Sequence, residues 1–414
     1  MRAAVRRLGG RLVRRFGLLP GDTPDGLGDD QSLAAARLEA EVVVYFPDTV
    51  DALYQLEQWY PALRALDRSR STVIAVRDSQ VARKVRAESR LAVVAVGRMA
   101  TLEGLLRRSD VRVALYVNHS QRNFELLRFT SLVHVSLLHG DSDKTVTVSN
   151  QIKAYDFSFV AGRAAVDRAA RNIMLFDVDR LLPVGRPSLD AETEPEATAG
   201  QHVSARQTVL YAPTWEGAQP TASYTSVSSL GERIVHSLLE AGFTVRYRPH
   251  PLTGVRLTEV GEADRRIREI IAAAAQDDPA AGHRLDTDVA VTASFDGSDL
   301  LLCDVSAMSV EWLPTGRPLI ITVPPGEAAV VAGTPLERAV PRLDAAGVDS
   351  LPDTVRRELD RDPGRSRRLE LIEYYLGDTS PGASIRAFIA AVGEVADRHA
   401  VEWARAVSNG AARP

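Results

Sequence analysis

The chain has 414 residues, 45% of them hydrophobic and 25% charged, with a formal net charge of −4. That is more apolar material than one core absorbs, since single cores stop growing beyond roughly 250–300 residues, and it leaves no global field to recruit nucleic acid. The single cysteine, Cys303, excludes an intramolecular disulfide framework and a cysteine-based zinc site.

Residues 1–20 carry Arg2, Arg6, Arg7, Arg11, Arg14 and Arg15 and no acid, but lack the uninterrupted apolar stretch of a signal peptide. On a helical wheel Val5, Leu8, Leu12, Phe16 and Leu19 share one face, largely opposite Arg7, Arg11, Arg14 and Arg15. Two readings stand for this segment: a basic amphipathic helix lying on anionic lipid, or a frayed tail weakened by Gly9 and Gly10. GDTPDGLGDD, residues 21–30, reads as a flexible acidic linker, so residues 1–40 are set apart from the rest of the chain. No apolar run approaches the ~18 residues of a spanning helix. A cytoplasmic protein, soluble or peripheral on the inner face of the cell membrane, is the expectation.

From residue 41 short apolar runs alternate with longer amphipathic ones. EVVVYF (41–46), TVIAV (72–76), LAVVAV (91–96), VRVALYV (111–117), VHVSLL (133–138) and FSFVA (157–161) are β-branched and unalternating, as parallel strands buried on both faces require. Residues 191–206 lack apolar periodicity and read as a linker. The alternation resumes with TVLYAPT (208–214), FTVRYRP (243–249), DLLLCD (299–304) and PLIITV (318–323), and residues 383–414 form a terminal helix. The pattern predicts an α/β protein of two Rossmann-like domains, 41–190 and 207–382, facing a central cleft in the glycosyltransferase-B manner. Open parallel sheets bind ligands at the carboxyl ends of their strands.

Chemistry-bearing residues cluster just after predicted strands. HGDSDK, residues 139–144, places His139 beside Gly140 with a titration range suited to a general base, and Lys144 as a cation for phosphate. RPHP, residues 248–251, fixes Arg248 and His250 between backbone constraints, a pair suited to a pyrophosphate. DVSAMSVEW, residues 304–312, sets Ser306 and the following amide, of Ala307, at a helix start, which equally suits phosphate binding or a plain cap. GDTSPGAS, residues 377–384, precedes a helix in the same way. There is no GxxxxGK[ST] loop, no HExxH and no GxSxG. The acidic triplets at 177–179 and 286–288 are read as surface turns, and no metal site is expected.

Taken in order, these clusters resemble the CDP-glycerol glycerophosphotransferase family of teichoic-acid and capsular polymer synthesis. HGDSDK is similar to its HGxPxK motif, YAPTWEG (211–217) to YAPTWR, and Arg248, His250 and Pro251 to RxHP. CDVSAMSVE is similar to TDYSSxxFD, with Glu311 where the family has Asp, and Gly185, Pro187 and Asp190 echo GxPRxD. Ser142, Glu216, Ala307 and Ser188 depart from the motifs, standing for Pro, Arg, Ser and Arg. The resemblance spans roughly residues 110–390. It implies transfer of glycerol phosphate from CDP-glycerol to a hydroxyl of a lipid-linked or polymeric acceptor, with CMP leaving; the sequence shows no dedicated metal cage, so metal-independent chemistry without a cofactor is expected. His139 would be the general base and His250 the second catalytic residue. Arg248, Asp304, Ser306, Ala307, Thr214 and Ser384 would bind the donor, and Gly140 and Lys144 the acceptor or a phosphate. A glycosyltransferase of the same architecture, using a nucleotide sugar or CDP-ribitol, is the competing reading, because one scaffold hosts many donors.

Overall fold

The computed structural model describes residues 24–138, 140–190, 206–217, 224–287, 290–324 and 334–409. The basic segment 1–20, His139, Asp288 and the linker residues 191–205 lie outside them.

The first domain is a seven-stranded sheet: β1 (Val42–Phe46), β2 (Thr72–Val76), β3 (Ala92–Ala95), β4 (Val113–Tyr116), β5 (Val133–Ser136), β6 (Phe157–Val160) and β7 (Leu181–Pro183). Its order is β3-β2-β1-β4-β5-β6-β7, and every neighbouring pair is parallel. Every residue of β1 and β2 is buried, the reason those runs are continuous and β-branched instead of alternating. The second domain is a six-stranded parallel sheet in the order β10-β9-β8-β11-β12-β13. Its strands are β8 (Thr208–Ala212), β9 (Thr244–Tyr247), β10 (Arg284–Leu285), β11 (Leu300–Cys303), β12 (Leu319–Thr322) and β13 (Arg342–Leu343). The architecture is thus the expected α/β pair of doubly wound sheets. The strands without a sequence signal are β7, β10 and β13, each two or three residues long at a sheet edge and too short for a period.

Three sequence expectations need correction. The residues of the acidic linker that the structure describes are docked on the first domain. Asp25 is buried, accepts hydrogen bonds from Ser79 N at 3.0 Å and Ser79 Oγ at 2.5 Å, and donates its own N–H to Asp78 at 3.0 Å. Asp78 caps the Ser79–Glu88 helix by accepting from Gln80 N and Val81 N, so two carboxylates share one helix start, where the dipole favours them. Second, the terminal helix, Ala383–Ser408, is no appendage. Phe388, Val392, Val395 and Ala396 recur at helical spacing, are buried, and join the core built on Val42, Val44 and Leu115. The chain therefore returns to its first domain after completing the second. Third, Asp286 is not a surface turn: it is buried and ion-paired with Arg284 at 2.5 Å, while Asp177 and Asp179 are exposed as expected.

Phe388 fills the space between Trp59, 5.5 Å away between ring centres, and Phe159, 6.2 Å away. Phe388→Ala should destabilise the chain by about 3–5 kcal/mol, read as a shift of the denaturant midpoint. A loss below about 1 kcal/mol would show that the helix is peripheral to this core.

Candidate active site

The carboxyl ends of the two sheets meet across a cleft, and the contacts between them identify its floor. After β5 the chain passes Leu138, which takes a left-handed φ of 58°, a conformation unusual for leucine and held by Trp59 Nε1–H donating to its carbonyl at 3.1 Å. At Gly140 a Cβ would lie 2.8 Å from the Cβ of Ala307 on the opposite domain, so only glycine permits this approach. Lys144 crosses the cleft as well, its ammonium donating to Thr214 Oγ1 at 2.7 Å. Burial pulls the Lys144 pKa down to about 8, with Asp304 acting the other way.

Between these residues the loop is tied from behind. Buried Arg168 on the Arg163–Asn172 helix donates to Asp143 Oδ1 at 2.9 Å and also to Asp141 Oδ1. Tyr375 donates its hydroxyl to Asp143 Oδ2 at 2.8 Å. Asp141 and Asp143 therefore face inward, and the loop presents Gly140 and Lys144 outward.

On the second domain Asp304 has no exposure. One carboxylate oxygen accepts from Thr214 N at 2.7 Å and Ser226 N at 3.2 Å, and the other from Thr322 Oγ1. Burial raises its pKa, and those donors oppose the rise. Asp304 consequently supports the site from beneath and does not reach the cleft. Ser306 sits at the cap of the five-residue Ala307–Glu311 helix, but its side chain makes no cap bond. Its Oγ is buried and has no hydrogen-bond partner among the described residues, a state that costs about 1–3 kcal/mol until something fills it.

His250 is held on three sides. Its ring stacks on Trp215 at 5.8 Å, takes the edge of Tyr54 from the first domain at 5.7 Å, and its Nδ1 accepts from Leu252 N–H at 3.1 Å. An Nδ1 that accepts carries no proton, so the neutral ring carries its proton on Nε2 and is a donor there. Arg248 is turned into the domain, donating to the Asp286 carbonyl at 2.8 Å and Ser294 Oγ at 3.1 Å. Glu216, which stands where the resembling motif has Arg, is buried and accepts from Gly254 N, Arg256 N and Leu257 N at 2.8–3.2 Å, fixing the loop that follows His250.

Beside this floor lies a cavity of about 310 Å³ whose lining includes Arg186, Phe295, Glu311, Pro314 and Ser384. Arg186, from the first domain, forms a buried ion pair with Glu311 of the second. Ser384 Oγ accepts from Arg186 N at 3.2 Å, and Asp190 accepts from Gly382 N and Ile385 N, so the segment 185–190 clasps the start of the terminal helix. The fold thus gathers Gly140, Lys144, Thr214, His250, Ser306 and Ala307 at one cleft floor and puts Ser384 on the adjoining cavity. Arg248 and Asp304 stand behind it, and His139 lies outside the described residues. Sequence reasoning missed Tyr54, Arg168 and Arg186. The first two sit within helical pattern with nothing to mark them, whereas Arg186 lies inside the Gly185–Pro187 element and adjacency alone could have found it. Among the described residues no group of three or more His, Cys, Asp or Glu could hold a metal ion.

A family model described as CDP-Glycerol:Poly(glycerophosphate) glycerophosphotransferase matches residues 49–328. A variant of the wall teichoic acid polymerase TagF superposes with a TM-score of 0.56 at 12% identity, over 96% of this chain and 95% of that one. TagF soaked with CDPG gives 0.51 at 11% identity, over 86% and 89%. A glycosyltransferase from Rickettsia africae gives 0.53 at 10% identity, over 86% and 99%. These likenesses show a shared fold of the glycosyltransferase-B kind. No curated protein sequence matches the chain.

The Lys144 ammonium is present below about pH 8 and is lost as pH rises through that value. Inorganic pyrophosphate should therefore bind the wild type ten- to a hundred-fold more tightly than Lys144→Met at pH 7, the worth of one charge-assisted hydrogen bond of about 1.5–3 kcal/mol. The advantage should shrink progressively above pH 8 in calorimetric titrations. A pH-independent difference would remove Lys144 from the anion site.

Proposed function

The chain belongs to the CDP-glycerol:poly(glycerophosphate) glycerophosphotransferase family, and from that premise we propose that it moves glycerol phosphate from CDP-glycerol to an acceptor hydroxyl in cell-wall polymer synthesis. The observation that carries the reading is the meeting of the Gly140–Lys144 loop with Thr214 and the Ser306–Ala307 step across the cleft. It brings an ammonium and an unsatisfied hydroxyl to one small region, as a pyrophosphate needs. Ser306 precedes the Ala307–Glu311 helix and Glu311 ends it, about 6–8 Å further along at 1.5 Å per residue. A nucleoside in the 310 Å³ cavity beside Glu311 would thus have its phosphates at Ser306.

In the proposed reaction the acceptor oxygen attacks the glycerol-bearing β-phosphorus. The bond from that phosphorus to the bridging oxygen breaks, and CMP leaves with the bond's electron pair. His139 takes the acceptor proton, a role worth typically 10²–10⁴-fold. His250 donates from Nε2 to the pyrophosphate, and Lys144, Ser306 and the Ala307 amide stabilise its charge. Arg248 and Asp304 hold the His250 and Thr214 segments in place. Phosphoryl transfer asks mainly for positioning and electrostatics, which such a set supplies. A nucleotide-sugar donor is the second reading, favoured by the comparable likeness to a glycosyltransferase and by the motif departures at Ser142, Glu216 and Ser188.

CMP release across CDP-glycerol, CDP-ribitol and nucleotide sugars decides between them, CDP-glycerol being the expected substrate. In that assay His139→Ala should lower kcat about 10²–10⁴-fold with donor affinity little changed. His250→Ala should weaken donor binding as well, by about 1.5–3 kcal/mol. Activity should survive EDTA; recovery only with added Mg²⁺ or Mn²⁺ would refute the metal-free scheme.

Among the described residues no helix is long and apolar enough to cross a membrane. We assign attachment near a lipid-linked acceptor to the basic segment 1–20. Removing it should abolish salt-sensitive co-sedimentation with anionic vesicles while soluble-acceptor turnover continues; unchanged sedimentation would leave the segment without this role.

A further inference from the structure

The first domain's side of the cleft holds a second polar cluster that the reaction scheme does not use. It sits at the carboxyl ends of β1 and β4, the strands next to each other at the centre of the sheet. Asn118 donates to Asp48 Oδ2 and to Gln55 Oε1, both at 2.8 Å, and Ser120 Oγ donates to Asp48 Oδ1 at 2.7 Å. Gln55 in turn donates to the Tyr54 hydroxyl at 3.0 Å, and it is the Tyr54 ring that meets His250. The cluster therefore lies within one side chain of the donor-side histidine. It is also fixed in advance, because Asn123 Nδ2 donates to the Asn118 carbonyl at 2.8 Å and Gln151 Nε2 to the His119 carbonyl at 3.0 Å.

His119 is the anomaly within this order. Its Nδ1 is buried and has no hydrogen-bond partner among the described residues, a state shared in this network by Asn123 Oδ1, while Asp48, Gln55, Asn118 and Ser120 are engaged. A buried polar group left unpaired calls for an explanation, and a ligand that completes it is one. The neighbouring groups are amides and hydroxyls. The one carboxylate, Asp48, is faced by Arg122 at 4.0 Å, so the cluster carries no excess charge. Such a set recognises hydroxyls, not phosphates.

We propose that Asp48, Asn118, His119 and Ser120, with Tyr54 and Gln55, form a subsite for the hydroxyl-bearing end of a neutral polyol acceptor, resting on the transferase reading above. His119 supplies a ring nitrogen that, like Asn123 Oδ1 in the same network, has no partner among the described residues, and the amide–carboxylate network orients the polyol toward the His250 side of the cleft. Burial lowers the His119 pKa to about 4, so the ring is uncharged at neutral pH and offers a phosphate no ionic attraction.

Two measurements on the full chain test this. In ¹⁵N-imidazole spectra, with the His119 signal identified by its loss in His119→Gln, glycerol should shift that signal saturably, and glycerol 3-phosphate should do so no more tightly. In turnover of CDP-glycerol with glycerol as acceptor, His119→Ala should raise the acceptor KM about tenfold, the worth of one hydrogen bond, with the donor Kd unchanged. His119→Gln, which keeps a hydrogen-bonding group, should recover part of the loss. No spectral response together with an unchanged acceptor KM overturns the subsite, and so does tenfold tighter binding of glycerol 3-phosphate. A loss in His119→Ala that appears equally in donor Kd and melting temperature makes His119 structural and also overturns it. If the wild type releases no CMP from CDP-glycerol while glycerol still shifts His119, the donor assignment fails and the polyol subsite stands.

Discussion

The cleft depends on one buried carboxylate. Asp304 ends β11 with no exposure and ties together the chain after β8, the turn at Ser226 and the end of β12 through Thr214 N, Ser226 N and Thr322 Oγ1. A lone carboxylate in that position would cost several kcal/mol of desolvation, and hydrogen bonds to a charged acceptor, about 1.5–3 kcal/mol each, offset it. The offset holds only while all the donors stay in place, so the three segments are fixed together. Thr214 then stands where Lys144 can reach it from the other domain.

Buried charges paired with one another recur where the domains meet. Arg168 gathers Asp141 and Asp143, Tyr375 completes Asp143, and Arg186 meets Glu311 beside the cavity. Such pairs add little net stability, since attraction is largely spent on desolvation, but breaking one partner is expensive. Two of these contacts, Arg186–Glu311 and Tyr375–Asp143, cross between the domains and act as registration devices: each fails if the domains slide. Together with the terminal helix, which re-enters the first core, they tie the second domain to the first at several points. Preorganised contacts of this kind are what electrostatic catalysis relies on.

The motif departures have local structural counterparts. Glu216 stands where the resembling motif has Arg and is wholly occupied with three backbone N–H groups of the 254–257 loop. Glu216 holds the loop after His250, and His250 itself stacks on Trp215. Ser188 stands for another Arg, and two residues earlier Arg186 reaches Glu311, itself one methylene longer than the motif's Asp. A cation–carboxylate pair thus stands at the cavity wall.

Amino-acid sequence by itself determined the two parallel sheets, because strands buried on both faces must be continuous and β-branched, and that pattern is local. It also set Lys144, His250 and Ser306 after strands, on the side where open parallel sheets bind ligands. What it could not carry is which side chains turn outward. Asp304 and Ser306 are two residues apart, yet one is consumed within the fold and the other left with an open hydroxyl, a difference set by Thr214, Thr322 and Ser226 from distant segments. The two-residue edge strands, the docking of Asp25 and the return of Phe388 to the first core were likewise decided by tertiary structure. Each depends on a partner far away in the chain, and no local period records such a partner.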